Sequence, residues 1–274
     1  MFAHAVVTGG GSGLGRAFCV ELAKKHGAKI LVADVDMDGA KETIALVKSA
    51  GGDAFFVSCD VTDAQQVEHL RKKAEEVWGG VDLLVNNAGV AVGGFIGDIP
   101  LSDWEWILNI NLKGAIHGCH AFVPLFKKQK SGTIINVASG AGIASFPEMG
   151  PYNVVKAGVI SLSETLFAEL RGHNIHVTVL CPSFFKTNIL KSFRSPDARQ
   201  GEMAQAFFDK TKITAEDVAR IGLRAAERKR LYAIPQADAK FVWFVKRLMP
   251  EVYFKISARL YNNGMVDKWL RRKK

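Results

Sequence analysis

Thr8-Gly9-Gly10-Gly11-Ser12-Gly13-Leu14-Gly15 is the stretch that decides the fold. It follows an apolar run over residues 3–8 and opens a segment of helical period beginning near Gly13. Glycines at such a junction let the backbone turn tightly and approach a pyrophosphate held at the positive end of the helix. The strand before and the helix after raise the motif above a merely flexible turn. Outward from it, short runs rich in Val, Ile and Ala occupy residues 29–33, 54–58, 83–86, 133–138 and 176–180, and amphipathic stretches begin near Asp38, Asp63, Ser102 and Gly150. Six buried strands alternating with helices predict an α/β fold, a doubly wound parallel sheet of the Rossmann type in a single domain. After the sixth strand, residues 184–212 show no clear period. Residues 215–228 read as a short helix capped by Thr214, and residues 231–234 as a candidate seventh strand.

Composition narrows the class. The formal charge of +9 suggests nucleic acid at first, but residues 240–274 hold ten Lys/Arg against two Asp/Glu, leaving 26 against 25 in residues 1–239. The basicity belongs to the tail, which lacks a recognition module for nucleic acid. Cys19, Cys59, Cys119 and Cys181 are widely spaced, so neither a disulfide framework nor a cysteine zinc site is expected, and a reducing compartment is. The N-terminus goes straight into a strand pattern and has no basic region before an apolar run, which predicts no signal or transit peptide. No apolar run reaches the ~18 residues of a membrane span. His117 and His120 lie three apart without a third ligand, so no metal site is expected.

Asp34 ends the second strand, where a carboxylate can accept hydrogen bonds from both adenosine ribose hydroxyls. It would repel a 2′-phosphate some 4 Å away by ~4 kcal/mol per charge pair at an effective dielectric near 20, which favours NAD and disfavours NADP. Asp36 is the better candidate for capping the next helix. Tyr152 and Lys156 stand four apart in a helical stretch and share a face, so the ammonium is placed to lower the pKa of the phenol toward a working range. Ser139 closes the fifth strand at the carboxyl edge, where such sheets bind ligands.

Taken together, Thr8 to Gly15, Asp34, Cys59-Asp60-Val61, Asn86-Asn87-Ala88-Gly89, Asn111, Ser139, Tyr152 and Lys156 resemble, in order, the short-chain dehydrogenases/reductases. The likeness runs over about residues 3 to 190. It implies an NAD(H)-dependent oxidoreductase that moves a hydride between nicotinamide and a secondary alcohol or ketone. In it, Tyr152 is the acid/base, Ser139 binds the substrate oxygen, Lys156 also holds the nicotinamide ribose, and Asn111 completes a proton relay through water. The implied cofactor contacts are Thr8, Gly9, Ser12, Gly13, Leu14, Gly15, Asp34, Asp60 and Val61 at the adenosine and pyrophosphate, and Asn87, Ala88 and Gly89 at the ribose wall. Tyr152, Lys156, Pro182, Phe185 and Thr187 follow at the nicotinamide. Ser183 stands where the family usually has Gly, which fits only if the local φ is negative. A homodimer or homotetramer and a cytoplasmic location are implied by the same resemblance. A catalytically silent dinucleotide sensor or scaffold is the alternative on the same fold.

The segment of residues 183–213 holds Phe184, Phe185, Ile189, Leu190, Phe193, Met203, Phe207 and Phe208, enough apolar surface to line a pocket for a hydrophobic substrate or to close ordinary core. Residues 1–239 form the catalytic body and residues 240–274 a basic amphipathic helical tail, which Pro250 splits in two. Three roles stand open for the tail: peripheral contact with an anionic membrane, assisted by Arg271-Arg272-Lys273-Lys274, packing across the substrate entrance, or a subunit contact.

Overall fold

The structure, a computed structural model, describes residues 2–264. The closing Arg271-Arg272-Lys273-Lys274 lies outside the described residues. Seven strands form one sheet: β1 (His4–Thr8), β2 (Lys29–Asp34), β3 (Asp53–Ser58), β4 (Leu83–Asn86), β5 (Gly132–Val137), β6 (Ile175–Leu180) and β7 (Tyr232–Ala233). Their order is β3-β2-β1-β4-β5-β6-β7 and every pairing is parallel. The strands are apolar throughout because both faces are covered, and successive residues split between two cores. Val7, Ile30 and Val32 meet Phe18, Leu22, Val218 and Leu223 of α1 (Gly13–His26) and α9 (Ala215–Glu227), with α2 (Met37–Ser49) beside them. Val6, Leu31, Leu84 and Ile134 meet Leu70, Phe122 and Leu166 of α3 (Ala64–Trp78), α5 (Gly114–Gln129) and α7 (Gly150–Leu170). Chain order reverses between β1 and β4, and the crevice at that reversal opens at the carboxyl ends of the strands.

Helix starts follow their caps. Asp36 accepts from the amides of Asp38 and Gly39 and starts α2, Asp63 does the same for α3, and Thr214 forms a capping box with Asp217 at α9. Between β4 and β5 the chain forms α4 (Leu101–Ile107), then a π-helical turn over Leu108–Lys113, then α5. Residues 184–212 are more regular than their sequence reads: they include α8 (Ala198–Lys210), capped by Asp197. That helix fully buries only Gln200, so no strong apolar period marks it. The short α6 (Gly140–Ala144) lies between β5 and α7. The C-terminal part forms α10 (Ala237–Leu248) and α11 (Pro250–Asn262), separated at Met249 with φ −138° and ψ 66° because a proline ring is tolerated only at a helix start.

The sheet centre contains a polar chain. Asn86 Nδ2 donates to Asn136 Oδ1 at 2.8 Å, Asn136 Nδ2 to Ser163 Oγ at 3.0 Å, and Ser163 Oγ to the Val159 carbonyl at 2.7 Å. It fits only because α5 presents Gly118 to it: a Cβ there would stand 2.0 Å from Asn86 Oδ1. Gly118→Ala is therefore expected to destabilise the fold by roughly 1–3 kcal/mol, read from urea unfolding. An unchanged midpoint would show that the asparagine pair yields freely.

Candidate active site

The turn from β1 into α1 packs without side chains. A Cβ on Gly15 would stand 2.0 Å from the Gly9 carbonyl oxygen, and Gly9 and Gly13 have φ of 63° and 50°. Ser12 caps α1 with its backbone alone; its side chain makes no capping bond, so Gly13, Leu14 and Gly15 start the helix without a side-chain acceptor. Ser12, Gly13 and Leu14 line a cavity of about 870 Å³ that runs along the carboxyl edge of the sheet. Thr8 and Gly15 stand behind its wall. Thr8 Oγ1 accepts from the amides of Asn87 (3.0 Å) and Ala88 (3.2 Å), and Asn87 Nδ2 donates to the carbonyls of Thr8 and Gly9 at 2.9 and 3.1 Å. These bonds place Asn87, Ala88 and Gly89 on the cavity wall.

Asp34 does two things. Its Oδ2 accepts from the Gly11 amide at 2.8 Å and its Oδ1 from the Asp36 amide at 3.0 Å, and the carboxylate also lines the cavity. The cation of this region is Arg16, which donates to the carbonyls of Gly11 and Gly39 and pairs with Glu42 at 2.7 Å. Asp60 and Val61 line the same end, with Asp60 Oδ1 accepting from the Thr62 amide.

Four residues assemble at the other end. Ser139 closes β5 and caps α6; its Oγ accepts from the Ala141 amide at 3.1 Å and donates to the Pro182 carbonyl at 3.3 Å. Tyr152 and Lys156 occupy adjacent turns of α7, whose start Pro151 sets. Lys156 is buried, its Nζ donating to the Val137 carbonyl at 2.9 Å and lying 5.7 Å from the Tyr152 ring centroid. Asn111 sits in the π-helical turn, one residue beyond the cavity wall, which Ile110 forms. Its amide makes a double bond set to Val90, accepting from the backbone N–H at 2.8 Å and donating to the carbonyl at 2.9 Å. Gly89 lies between the two: a Cβ on it would touch Asn111 Oδ1 at 3.4 Å and Lys156 Nζ at 3.5 Å.

Burial controls the electrostatics here. Removal from water pushes the Tyr152 phenol up to about 12, with Ser139 acting weakly the other way. It pulls the Lys156 ammonium down to about 8. The spacing predicts a phenol lowered by the ammonium; here burial raises it, and the group that acts the other way is Ser139.

The part of the cavity lined by residues 184–208 is apolar. All eight residues singled out between Phe184 and Phe208 line it, with Phe184 stacked on Phe207 at 4.6 Å, and only Phe185 also belongs to the main core. Pro182 and Thr187 line the cavity as well. Ser183 has no positive φ, so serine fits where glycine was expected. Two functional supports escaped sequence reading. Gln236, at the start of α10, accepts from the Ser183 amide at 2.9 Å and donates to the Phe184 carbonyl at 3.1 Å. Glu148, with φ 61°, accepts from Arg199 at 2.9 Å and from the Tyr261 hydroxyl. Both act across long stretches of chain, and no local signal marks them.

Sheet order, glycine turn and edge cavity define a doubly wound α/β protein of the Rossmann class. The sequence profile described as "short chain dehydrogenase" matches residues 3–198. A short-chain dehydrogenase/reductase from Burkholderia phymatum, solved in complex with NAD, superposes with a TM-score of 0.85 at 33% identity, covering 91% of this chain and 94% of that one. "Probable oxidoreductase EphD" of Mycobacterium tuberculosis is 31% identical over 264 residues, 93% of this chain, which spans only 44% of that protein's length. The 3-oxoacyl-[acyl-carrier-protein] reductase FabG of Thermotoga maritima is 32% identical over 182 residues, 66% of this chain and 74% of that one. The chain belongs to the short-chain dehydrogenase/reductase family.

Replacing Gln236 by Leu leaves the Ser183 amide without its acceptor, while the Phe184 carbonyl keeps only the Thr211 hydroxyl. A loss of roughly 1–3 kcal/mol in urea unfolding is expected, together with faster hydrogen exchange at the Ser183 amide. Unchanged exchange would assign that amide to another acceptor.

Proposed function

We propose that this chain is an NAD(H)-dependent oxidoreductase acting on a secondary alcohol or ketone with a predominantly apolar body. The observation that carries the reading is the placement of Tyr152, Lys156 and Ser139 in one cavity with the glycine turn and Asp34. The residues fit the dinucleotide. The first turn of α1 has no side-chain cap to occupy its amides, and the close packing at Gly9 and Gly15 lets backbone come up to a pyrophosphate. Asp34 offers acceptor capacity to ribose hydroxyls, and Arg16 is committed to Glu42 and two carbonyls, which favours NAD over NADP.

Nicotinamide, when bound, supplies or takes the hydride. The chain handles the proton. A phenol held at about 12 stays protonated at neutral pH, so Tyr152 Oη is set to donate to the oxygen of a ketone. The Ser139 hydroxyl donates to the same oxygen by turning from the Pro182 carbonyl, stabilising charge that develops there. Lys156 brings a positive charge to the phenol side of the site, and Asn111 fixes the Val90 backbone opposite it. Alcohol oxidation runs the proton back onto Tyr152 and calls for higher pH. The aromatic half accepts the apolar body, a reading supported by the FabG relative, whose printed name is that of a 3-oxoacyl reductase. Pairing of copies through the helices that begin near Ser102 and Gly150, here α4 with α5 and α7, and a cytoplasmic location belong to the same proposal.

Three outcomes are expected. Tyr152→Phe lowers kcat for a confirmed ketone by ~10²–10⁴ while NADH affinity, followed by fluorescence titration, stays the same. Intact binding with no turnover in the unsubstituted protein, over methyl ketones of rising chain length and steroids, would favour the silent sensor instead. Asp34→Ser shifts the NAD/NADP preference toward NADP by roughly ten- to a hundredfold, ~1.4–2.8 kcal/mol. Ketone reduction holds steady up to a pH of about 8 and falls above it as Lys156 loses its proton. A rate that climbs through that range would place the proton elsewhere.

A further inference from the structure

The rim of the cavity and the C-terminal helices are two sides of one segment. Phe146 and Glu148 line the cavity, and the backbone around them is held by the hairpin of α10 and α11. Lys246 Nζ donates to the Ile143 carbonyl at 2.6 Å and to Ser145 Oγ at 3.2 Å, Tyr253 to the Ala144 carbonyl at 2.9 Å, and Tyr261 to Glu148. Residues Tyr261, Asn262 and Gly264 reach the cavity themselves.

The hairpin packs inward with few residues. In α10 these are Ala239, Val242 and Trp243. Opposite them, Phe241, Phe244 and Leu248 fall at helical spacing on one outward stripe, and Val252, Ile256 and Leu260 make a second stripe on α11. These six side chains are between 39% and 69% exposed, and neither helix has a fully buried residue. Isolated apolar residues on a surface are ordinary; two rows on consecutive helices, with an exposed Met249 between them, are an apolar surface that calls for a partner.

Charge selects the occupant. Lys240, Lys255 and Arg259 are exposed beside the stripes, and residues 240–274 carry a net +8 while the rest of the chain carries +1. The described part of the tail, residues 240–264, holds five Lys/Arg against one Glu, so a second copy of the same face would set like charges together. An anionic bilayer surface matches both features, taking apolar side chains below the headgroups and Lys/Arg among them. No helix among the described residues is long and apolar enough to cross a membrane, so the contact lies on the surface.

We infer that the α10–α11 hairpin docks on an anionic membrane surface through Phe241, Phe244, Leu248, Val252, Ile256 and Leu260, which sets the cavity rim at the bilayer. Uptake of an apolar substrate from the bilayer rests on the function proposed above; the docking does not.

The test is sedimentation of the full chain with vesicles of phosphatidylcholine alone or with about one third phosphatidylglycerol, at low and high salt. Binding to the anionic vesicles, weakened by salt and weak on phosphatidylcholine alone, is expected. The triple variant Phe241→Ser, Phe244→Ser, Leu248→Ser should bind them roughly tenfold less tightly. A second variant, Lys240→Glu, Lys255→Glu, Arg259→Glu, leaves the packed face untouched and should lose binding to a similar degree. Far-ultraviolet circular dichroism and urea unfolding report the folding of each variant. Absence of binding by the unsubstituted chain overturns the proposal, as does equal binding by both variants. So does a dimer in size-exclusion chromatography that the serine variant splits without vesicle binding in any form. Loss of NADH binding beside intact vesicle binding would instead sink the enzymatic reading.

Discussion

A side chain at position 15 would collide with the Gly9 carbonyl, and the site depends on that closeness. It brings the first turn of α1 down onto the last residues of β1. The same position would crowd Asn87 Nδ2 at 2.6 Å, so the asparagine that follows β4 comes near enough to tie the carbonyls of Thr8 and Gly9. The carbonyls of Gly10 and Gly11 are taken from below by Thr43 and Arg16, and the Gly11 amide is taken by Asp34. Acceptors of the turn are thus engaged by protein while the helix start faces the cavity. That separation of donors from acceptors is the polarity that the proposed dinucleotide pyrophosphate requires.

At the other end the governing quantity is desolvation. A buried ammonium is costly unless paired or hydrogen-bonded, and Lys156 has the Val137 carbonyl to offset that cost. The opposite shifts of Tyr152 and Lys156 both favour the uncharged forms, as expected when two groups of complementary charge lie in a water-poor cleft without touching. A neutral phenol is a proton donor, the role that the proposed ketone reduction asks of Tyr152. Sequence spacing places the pair on one face of α7, but it carries no information on how much water reaches them.

Legibility in the sequence follows distance along the chain. The glycine turn, the caps at Asp36 and Thr214 and the Tyr152–Lys156 pair lie within a few residues of each other, and hydrophobic periodicity locates all six main strands because a sheet covered on both faces demands continuous apolar runs. Residues 184–212 hide α8 because a helix laid over a cavity has no fully apolar face to display. Gln236 reaches 53 residues back to Ser183, and Asn111 reaches 21 back to Val90 from a π-helical turn that propensity does not encode. Thr8 and Gly15 read as cofactor contacts from their motif; in the structure Thr8 ties the Asn87 and Ala88 amides, and Gly15 packs against the Gly9 carbonyl.

Charge composition divides the chain near residue 240, whereas packing does not. Helix α10 starts at Ala237, its N-cap Gln236 holds the turn below Phe184, and Trp243 packs with Tyr232 of β7. Glu148 then joins the pieces: its carboxylate meets Arg199 of α8 and Tyr261 of α11, and its carbonyl accepts from the Gly94 amide at 2.7 Å. A non-glycine residue held at φ 61° costs energy that its surroundings must offset, and the three bonds supply that support. Displacing either α8 or α11 removes part of it, so the two elements that close the apolar half of the cavity are energetically coupled through one carboxylate. The rim of the apolar half therefore depends on a contact between helices that are far apart in the chain.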